Sequence, residues 1–477
     1  MTPSTYIDEI LFLNLPHSTR VQRRYMCSYN TPKMLFPPIE LLYLAAIARK
    51  WHHIPVSLLD AVAENASMKD VLLSISSSPA QMIVCLTGFE IFEEDIKAIR
   101  ELKQNFPERN IVVFGHYPTH FPAETLKLSQ ADYILLGEPD INFSNLLDYL
   151  TGKIEKNEIK GVYYLDSEGH LHIHEGAGRI RKPDELPMPA HDLLKIDLYN
   201  EPFLPKPFGL IQSARGCPYT CNFCVRSYGT RLALRSPESI VKEIQLLVDL
   251  HKIKSFRFID DTFTATSKRV IRFCKLLIES GIKVKWSCLS RADTLDDEMI
   301  YWMKKAGCVR VYIGVESGSP RILETITKNI DLDQGLVNIR LLQKYGIETS
   351  AFFMVGFPGE TDADFKLSMD YARRANFDYV IPFKFVAYPG TVFFDQNKDK
   401  IDFNLFPYNN SFKDQELNIT GEKRLKYFYK NYYFRVGYLG KAFRRLYEYP
   451  NETLSNLLKV IRFQINVKEA PIRKDYI

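Results

Sequence analysis

Short apolar runs recur along the chain, each closed by glycine or a polar residue and followed by a stretch with helical spacing. Ile10-Leu-Phe-Leu-Asn14, Val56-Ser-Leu-Leu-Asp60, Met82-Ile-Val-Cys-Leu86, Ile111-Val-Val-Phe114 and Tyr133-Ile-Leu-Leu136 are the first of them. Uninterrupted apolar runs suit central parallel strands covered on both faces. Pro37-Pro38 opens an amphipathic helix from Ile39 to Trp51, since proline is favoured at a helix start. The strand–helix alternation over residues 1–150 predicts a doubly wound parallel sheet, with ligands outside the strands' carboxyl ends.

The pattern then changes. Gly161-Val-Tyr-Tyr-Leu165 and Leu171-His-Ile-His174 read as a β-hairpin, and a proline-rich crossing runs from Pro183 to Pro189. Residues 151–205 are therefore expected to link two domains. His172 and His174 would share one strand face, as exposed polarity more than as a metal site. From Gly209 strand, loop and helix repeat again, with strands near 209–214, 255–260, 283–289, 309–315, 349–355 and 378–386. Pro237 to His251 and Lys268 to Ser280 are the clearest helices between them. Six β-α units over residues 206–395 predict a partial (β/α)6 TIM-type barrel, and residues 396–477 a helical extension. The fold class is α/β.

At 477 residues the chain has room for about three domains. A hydrophobic share of 46% suits a packed core, and a net charge of +5 is too small to argue for nucleic acid. Aromatic residues reach 13%, which points to stacking surfaces or a greasy substrate as readily as to a compositional bias. The stretch Met1-Thr-Pro-Ser-Thr-Tyr-Ile-Asp-Glu lacks the features of a signal peptide, and no apolar run has the length of a membrane span. The expectation is a cytoplasmic protein in a reducing compartment.

Of the eight cysteines, five sit singly, mostly in apolar contexts. The other three lie together in Ser213-Ala-Arg-Gly-Cys217-Pro-Tyr-Thr-Cys221-Asn-Phe-Cys224, just after a strand-like run. Loops at strand carboxyl ends are where barrels keep their chemistry. Three thiolates at C-x3-C-x2-C spacing can hold three irons of a cubane cluster and leave the fourth open. Structural zinc would want a fourth Cys or His nearby, and the next candidates, His251 and Cys274, fall inside other elements.

This motif, with Phe223 before its last cysteine, resembles the radical S-adenosylmethionine (SAM) superfamily. The resemblance implies a 4Fe-4S cluster on Cys217, Cys221 and Cys224, with SAM chelating the open iron. It further implies one-electron cleavage of SAM to a 5′-deoxyadenosyl radical, with an external reductant of flavodoxin or ferredoxin type. Polar groups follow each later strand: Asp260-Asp261, Ser290-Arg291, Gly314-Val-Glu316-Ser317, Val355-Gly356 and Tyr388-Pro-Gly390-Thr391. By resemblance Phe223, Asp260, Asp261, Arg291, Glu316 and Gly356 would line the SAM pocket. Arg291 would take the SAM carboxylate, Glu316 the amino group or ribose hydroxyls, and Gly356 the adenine side. Residue by residue, the plainer readings are a helix cap for Asp261 and a salt bridge for Arg291.

The first domain, placed before such a barrel, resembles the cobalamin-binding domain of the cobalamin-dependent branch of that superfamily, which includes the anaerobic magnesium-protoporphyrin ester cyclase. Thr87-Gly88, Gly115-His116 and Gly137-Glu138 stand at successive strand ends, where the nucleotide tail of cobalamin would enter. Two departures stand out. His116 occupies a position that is often glycine, and the D-x-H-x-x-G signature that supplies a histidine to cobalt is absent. His17 sits in the first loop at another spacing.

The resemblance implies radical methylation of an unactivated carbon in a small or lipid-like metabolite; cyclisation or oxidation is the alternative. RNA methylthiolation ranks lower, because the first domain holds only Cys27 and Cys85 and not three further cluster cysteines. A non-catalytic corrinoid or cluster carrier also ranks lower, since Arg291, Glu316 and all three motif cysteines are intact. Gly421 to Tyr447 is basic and aromatic, and a further helix is expected over Thr453 to Phe463. Such a tail suits a helical cap on the barrel, with peripheral membrane contact as the second reading.

Overall fold

The computed structural model describes residues 7–23, 28–30, 34–166, 168–174, 176, 179–226, 228–402, 412–438 and 440–441. The helix expected over 453–463, Cys27 and the distal basic residues of the tail lie outside them.

Two sheets organise the chain. In the first, parallel strands Val56–Asp60, Ile10–Asn14, Met82–Thr87, Asn110–Gly115 and Tyr133–Leu135 lie side by side in that order. Strands Ile10–Asn14 and Met82–Thr87 are buried throughout, as their unbroken apolar runs required. The helix Ile39–Trp51 begins where Pro37-Pro38 placed it and is buried from Ile39 to Ala48. One expectation needs correction. The hairpin Val162–Leu165 and Leu171–His174 is not linker: it pairs antiparallel with Tyr133–Leu135 and forms the edge of this sheet. The ring of Tyr164 stacks against both His172 and His174, which uses their shared face.

The second sheet is the partial barrel. Its six parallel strands follow one another in sequence: Phe208–Ile211, Ser255–Phe258, Lys285–Ser290, Cys308–Glu316, Glu348–Val355 and Tyr379–Lys384. Helices Pro237–His251, Ser267–Glu279, Asp297–Lys305, Leu332–Lys344 and Asp362–Ala375 return the chain between strands. Each starts from a polar residue, and Ser236, Asp296, Asp331 and Thr361 accept a hydrogen bond from a first-turn amide.

The proximal tail caps the barrel. Helix Gln415–Tyr433 lies beside the last strand, with Phe428 and Tyr432 buried. Tyr432 and Tyr438 donate hydroxyl bonds to the carbonyls of Phe377 (2.7 Å) and Asp378 (2.9 Å). Tyr427 in the helix and Phe434 and Val436 just beyond it are exposed. Among the described residues no helix is long and apolar enough to cross a membrane.

The two halves share one apolar core, which runs from Phe12 and Leu44 through Phe208 to Ile313 and Phe353. Phe36 of the first half stacks on Phe208 of the first barrel strand at 5.6 Å. Their strand-end loops also meet. Phe89, after strand Met82–Thr87, lies 5.9 Å from the ring of Tyr388 in the turn after the last barrel strand.

Candidate active site

The cysteine loop leaves the barrel at Ile211 and is closed at its base by a short antiparallel pairing of Ala214–Arg215 with Ala233–Leu234. Gly216 makes the first sharp turn at φ +81°, and a Cβ there would come within 2.4 Å of the Arg231 carbonyl. Glycine is required at such a position. The Cys217 amide then donates to the Gly229 carbonyl at 3.1 Å, and the Cys224 amide to Cys221 at 3.3 Å.

All three thiols are free, and Cys221 is the most buried of them. Burial pushes the Cys221 thiol up, while Lys328 and Arg291 pull it back. Burial, then the charges of Asp261 and the other two cysteines, push Cys224 well up. Cys221 thus feels the charges of Lys328 and Arg291, and Cys224 that of Lys328. Among the described residues no three His, Cys, Asp or Glu side chains converge tightly enough for a single metal ion. The donor set present is three thiols spread along one loop with cations opposite. It fits a multi-iron cluster, in which each thiolate holds a different iron.

The other strand-end residues surround this loop, but several are committed to their own chain. Asp260 is buried beneath it: Ser213 and Ala214 donate their amides to its Oδ1 at 2.7 and 3.0 Å, and the Ser213 hydroxyl donates to Oδ2. Arg269 closes the cluster by donating to the Ser213 carbonyl at 2.6 Å. Asp260 thus anchors the strand end from which the cysteines spring. Asp261 sits on the thiol side, close enough to raise Cys224, and does not cap the next helix, which starts from Thr266. Arg291 lies 3.9 Å over the Tyr219 ring within the cysteine loop. Its fork is held bidentate by Asp293 at 3.0 and 2.7 Å, and it also donates to the Asn329 carbonyl.

Glu316 adopts φ +67°, a left-handed conformation that a side chain rarely takes. A register shift at Gly314/Glu316 bends the strand there, and bulges of this kind re-aim side chains beside active sites. Its Oε1 accepts from Lys328 Nζ at 2.9 Å. Phe223 packs into a separate apolar group with Ile322, Phe357 and Phe385. Gly356 (φ +80°) serves the tail: a Cβ there would meet Gly421 Cα at 2.8 Å. The Gly356 amide donates to Glu360 Oε2, which Arg424 of the tail helix also engages at 2.8 Å.

In the first domain Thr87 and Gly115 are direct partners on neighbouring strands. Gly115 (φ +136°) would place a Cβ 1.9 Å from the Thr87 carbonyl, so Gly115→Ala is expected to lower the denaturation midpoint measurably in urea titration. The Thr87 hydroxyl is buried with no hydrogen-bond partner among the described residues. Gly137 (φ +52°) opens onto free space, and its amide donates to Thr119 at 3.1 Å. An orphaned hydroxyl and a bare glycine at the strand ends fit the entry of a ligand tail.

His116 and Glu138 do other work. His116 Nε2 donates to the Pro389 carbonyl at 3.1 Å, and burial followed by the neighbouring His120 lowers its pKa to about 3, which keeps it neutral. Glu138 receives Arg215, which also forks onto Asp140 at 2.6 and 3.2 Å. His17 leans on Glu94 at 3.4 Å.

Sequence reasoning missed Arg215, Arg269 and Lys328. Arg215 stands inside the motif, but its carboxylate partners are in the first domain. Lys328 lies 12 positions beyond Glu316 in a polar stretch between Thr327 and Asn329, and no motif marks it.

Comparison with known proteins agrees with this geometry. The family model described as the radical SAM superfamily matches residues 211–372. An uncharacterized methyltransferase of Pyrococcus horikoshii is 32% identical over 74% of this chain and 77% of its own length. The anaerobic magnesium-protoporphyrin IX monomethyl ester cyclase of Rubrivivax gelatinosus is 25% identical over 78% of this chain and 69% of its own. Among solved structures, the cobalamin-dependent S-adenosylmethionine radical enzyme OxsB with aqua-cobalamin bound superposes at a TM-score of 0.65 and 18% identity. That match covers 87% of this chain but only 56% of OxsB, so it speaks to the fold of the shared part.

Proposed function

Because this chain belongs to the radical SAM superfamily, we propose that it is a cobalamin-dependent methyltransferase acting on an unactivated carbon of a small or lipid-like metabolite. The observation that carries this reading is the meeting of two sets of strand ends. The cysteine loop and Glu316 stand at one, and the orphaned Thr87 hydroxyl and Gly115 at the other. When bound, the cluster with SAM supplies a carbon-centred radical, and cobalamin supplies a methyl group; the protein orients them and excludes water.

The roles of this chain's residues follow from their placement. Cys217, Cys221 and Cys224 would hold the cluster, on a loop that Asp260 and Arg269 fix from beneath. Glu316 has its second carboxylate oxygen available for the amino group or ribose of SAM. Arg291, held by Asp293, would meet the SAM carboxylate only through its remaining N–H groups. Gly356 acts through packing against Gly421, and Asp260 through the hydrogen bonds that anchor the strand end. Thr87, Gly88, Gly115 and Gly137 would admit the cobalamin tail, with His116 and Glu138 bracing the domain contact beside it. A flavodoxin- or ferredoxin-type donor would supply the electron.

A second reading, radical cyclisation or oxidation, is favoured by the 25% identity to the protoporphyrin ester cyclase over 78% of the chain. Anaerobic reconstitution with iron, sulfide and hydroxocobalamin tests both. The protein is expected to retain a corrin spectrum through desalting and to release 5′-deoxyadenosine under a strong reductant. A corrin that washes out completely would remove the first-domain assignment, and absence of 5′-deoxyadenosine from cluster-loaded protein would remove the radical one.

A further inference from the structure

We infer that the buried Lys328–Glu316 ion pair is a charge-balancing element that sets the reduction potential of the group held by Cys217, Cys221 and Cys224. This rests on the cluster reading above.

Three hydrogen bonds tie the cysteine loop to the segment just before Lys328. The Asn222 amide donates to the Ile326 carbonyl at 3.1 Å, and Asn222 Nδ2 to Thr325 at 2.9 Å. The Thr327 hydroxyl donates to the Thr220 carbonyl at 2.9 Å. Thr327 itself is left-handed (φ +49°), which turns the chain sharply at the end of helix Pro320–Thr325. The turn sends the Lys328 side chain inward, where only 6% of it is exposed. Both members of the pair are thus delivered by backbone strain, and such strain persists where the surroundings over-determine it.

The pair crosses the strand at Gly314, where a Cβ would come within 2.6 Å of Glu316 Oε1 and 3.0 Å of Lys328 Nζ. The Lys328 amide donates to the Leu323 carbonyl at 2.9 Å, and its ammonium, with three donors, finds Glu316 as its one hydrogen-bond partner among the described residues. Lys328 lies within electrostatic reach of Cys221 and Cys224. A buried cation beside a thiolate-bound group favours its more negative, reduced state, and a buried anion opposes it. A pair that only pinned the turn would give no opposite response to loss of its two charges.

The test is a redox titration, by electron paramagnetic resonance, of the reconstituted full chain without SAM. Lys328→Met is expected to move the cluster midpoint to more negative potential, and Glu316→Gln to move it to more positive potential. Lys328→Arg should remain near the parent value. Iron and sulfide content is measured in each variant. Parent protein that takes up no cluster would defeat the functional reading. Cluster-loaded Lys328→Met and Glu316→Gln that shift together, or not at all, would overturn the charge-balancing role and leave that reading standing. Should Lys328→Met load poorly, Glu316→Gln decides alone: a positive shift supports the role, and no shift or a negative one overturns it.

Discussion

Cys221→Ala is expected to abolish the brown iron–sulfur absorbance and SAM cleavage together. Cys221 is the middle thiol of the loop and the most buried of the three. Cys274, Cys288 and Cys308 are the next cysteines along the chain, but all are buried in the barrel's apolar core and cannot substitute. A cubane with two protein thiolates loses a whole corner, so iron per chain should fall toward background, and 5′-deoxyadenosine with it. The substitution itself is mild for the fold, because alanine fills less space than cysteine and the loop's amide bonds remain. Circular dichroism should therefore match the parent. Unchanged iron content and turnover would refute the cluster assignment.

Arg215→Met is expected to destabilise the protein by about 3–5 kcal/mol, the usual cost of leaving buried carboxylates without their cation. Arg215 is 4% exposed and joins Glu138 and Asp140 of the first domain to Gln212 of the barrel. The rings of Tyr43 and Tyr228 flank its guanidinium at 5.1 and 5.0 Å. Methionine keeps most of the packing but none of the charge, so two acidic groups would stay behind in an apolar seam. Arg215→Lys should recover part of the loss, since an ammonium restores charge without the bidentate geometry. Urea unfolding followed by tryptophan fluorescence reads the difference. A midpoint within error of the parent would show that the seam holds without its ions.

Much of the fold was readable from period alone. Strands such as Ile10–Asn14 and Met82–Thr87 are apolar runs closed by a polar residue, and helix Ile39–Trp51 carries its own start signal. The hairpin was legible as a hairpin, but not as the edge of the first sheet. Pairing to Tyr133–Leu135 depends on backbone groups that leave no trace in side-chain pattern. Positions of the site residues at strand ends were likewise accessible, because that is where loops begin. Their partners were not. Whether Arg291 finds Asp293, or Glu138 finds Arg215, is decided by competition among charges that only folding brings together. Gly356 shows the same limit: its strand-end position suggested a ligand, while the backbone it admits is Gly421, far along the chain.

The seam between the two halves has a consequence for catalysis. Apolar packing of Phe36 on Phe208 and the Arg215 ion network cross it, and His116 and Tyr388 tie its far end. The separation between the two rows of strand ends is therefore fixed when the polypeptide folds, before any small molecule arrives. Ligands docking at either row would meet strand ends already held in place, so less ordering is left to be done on binding.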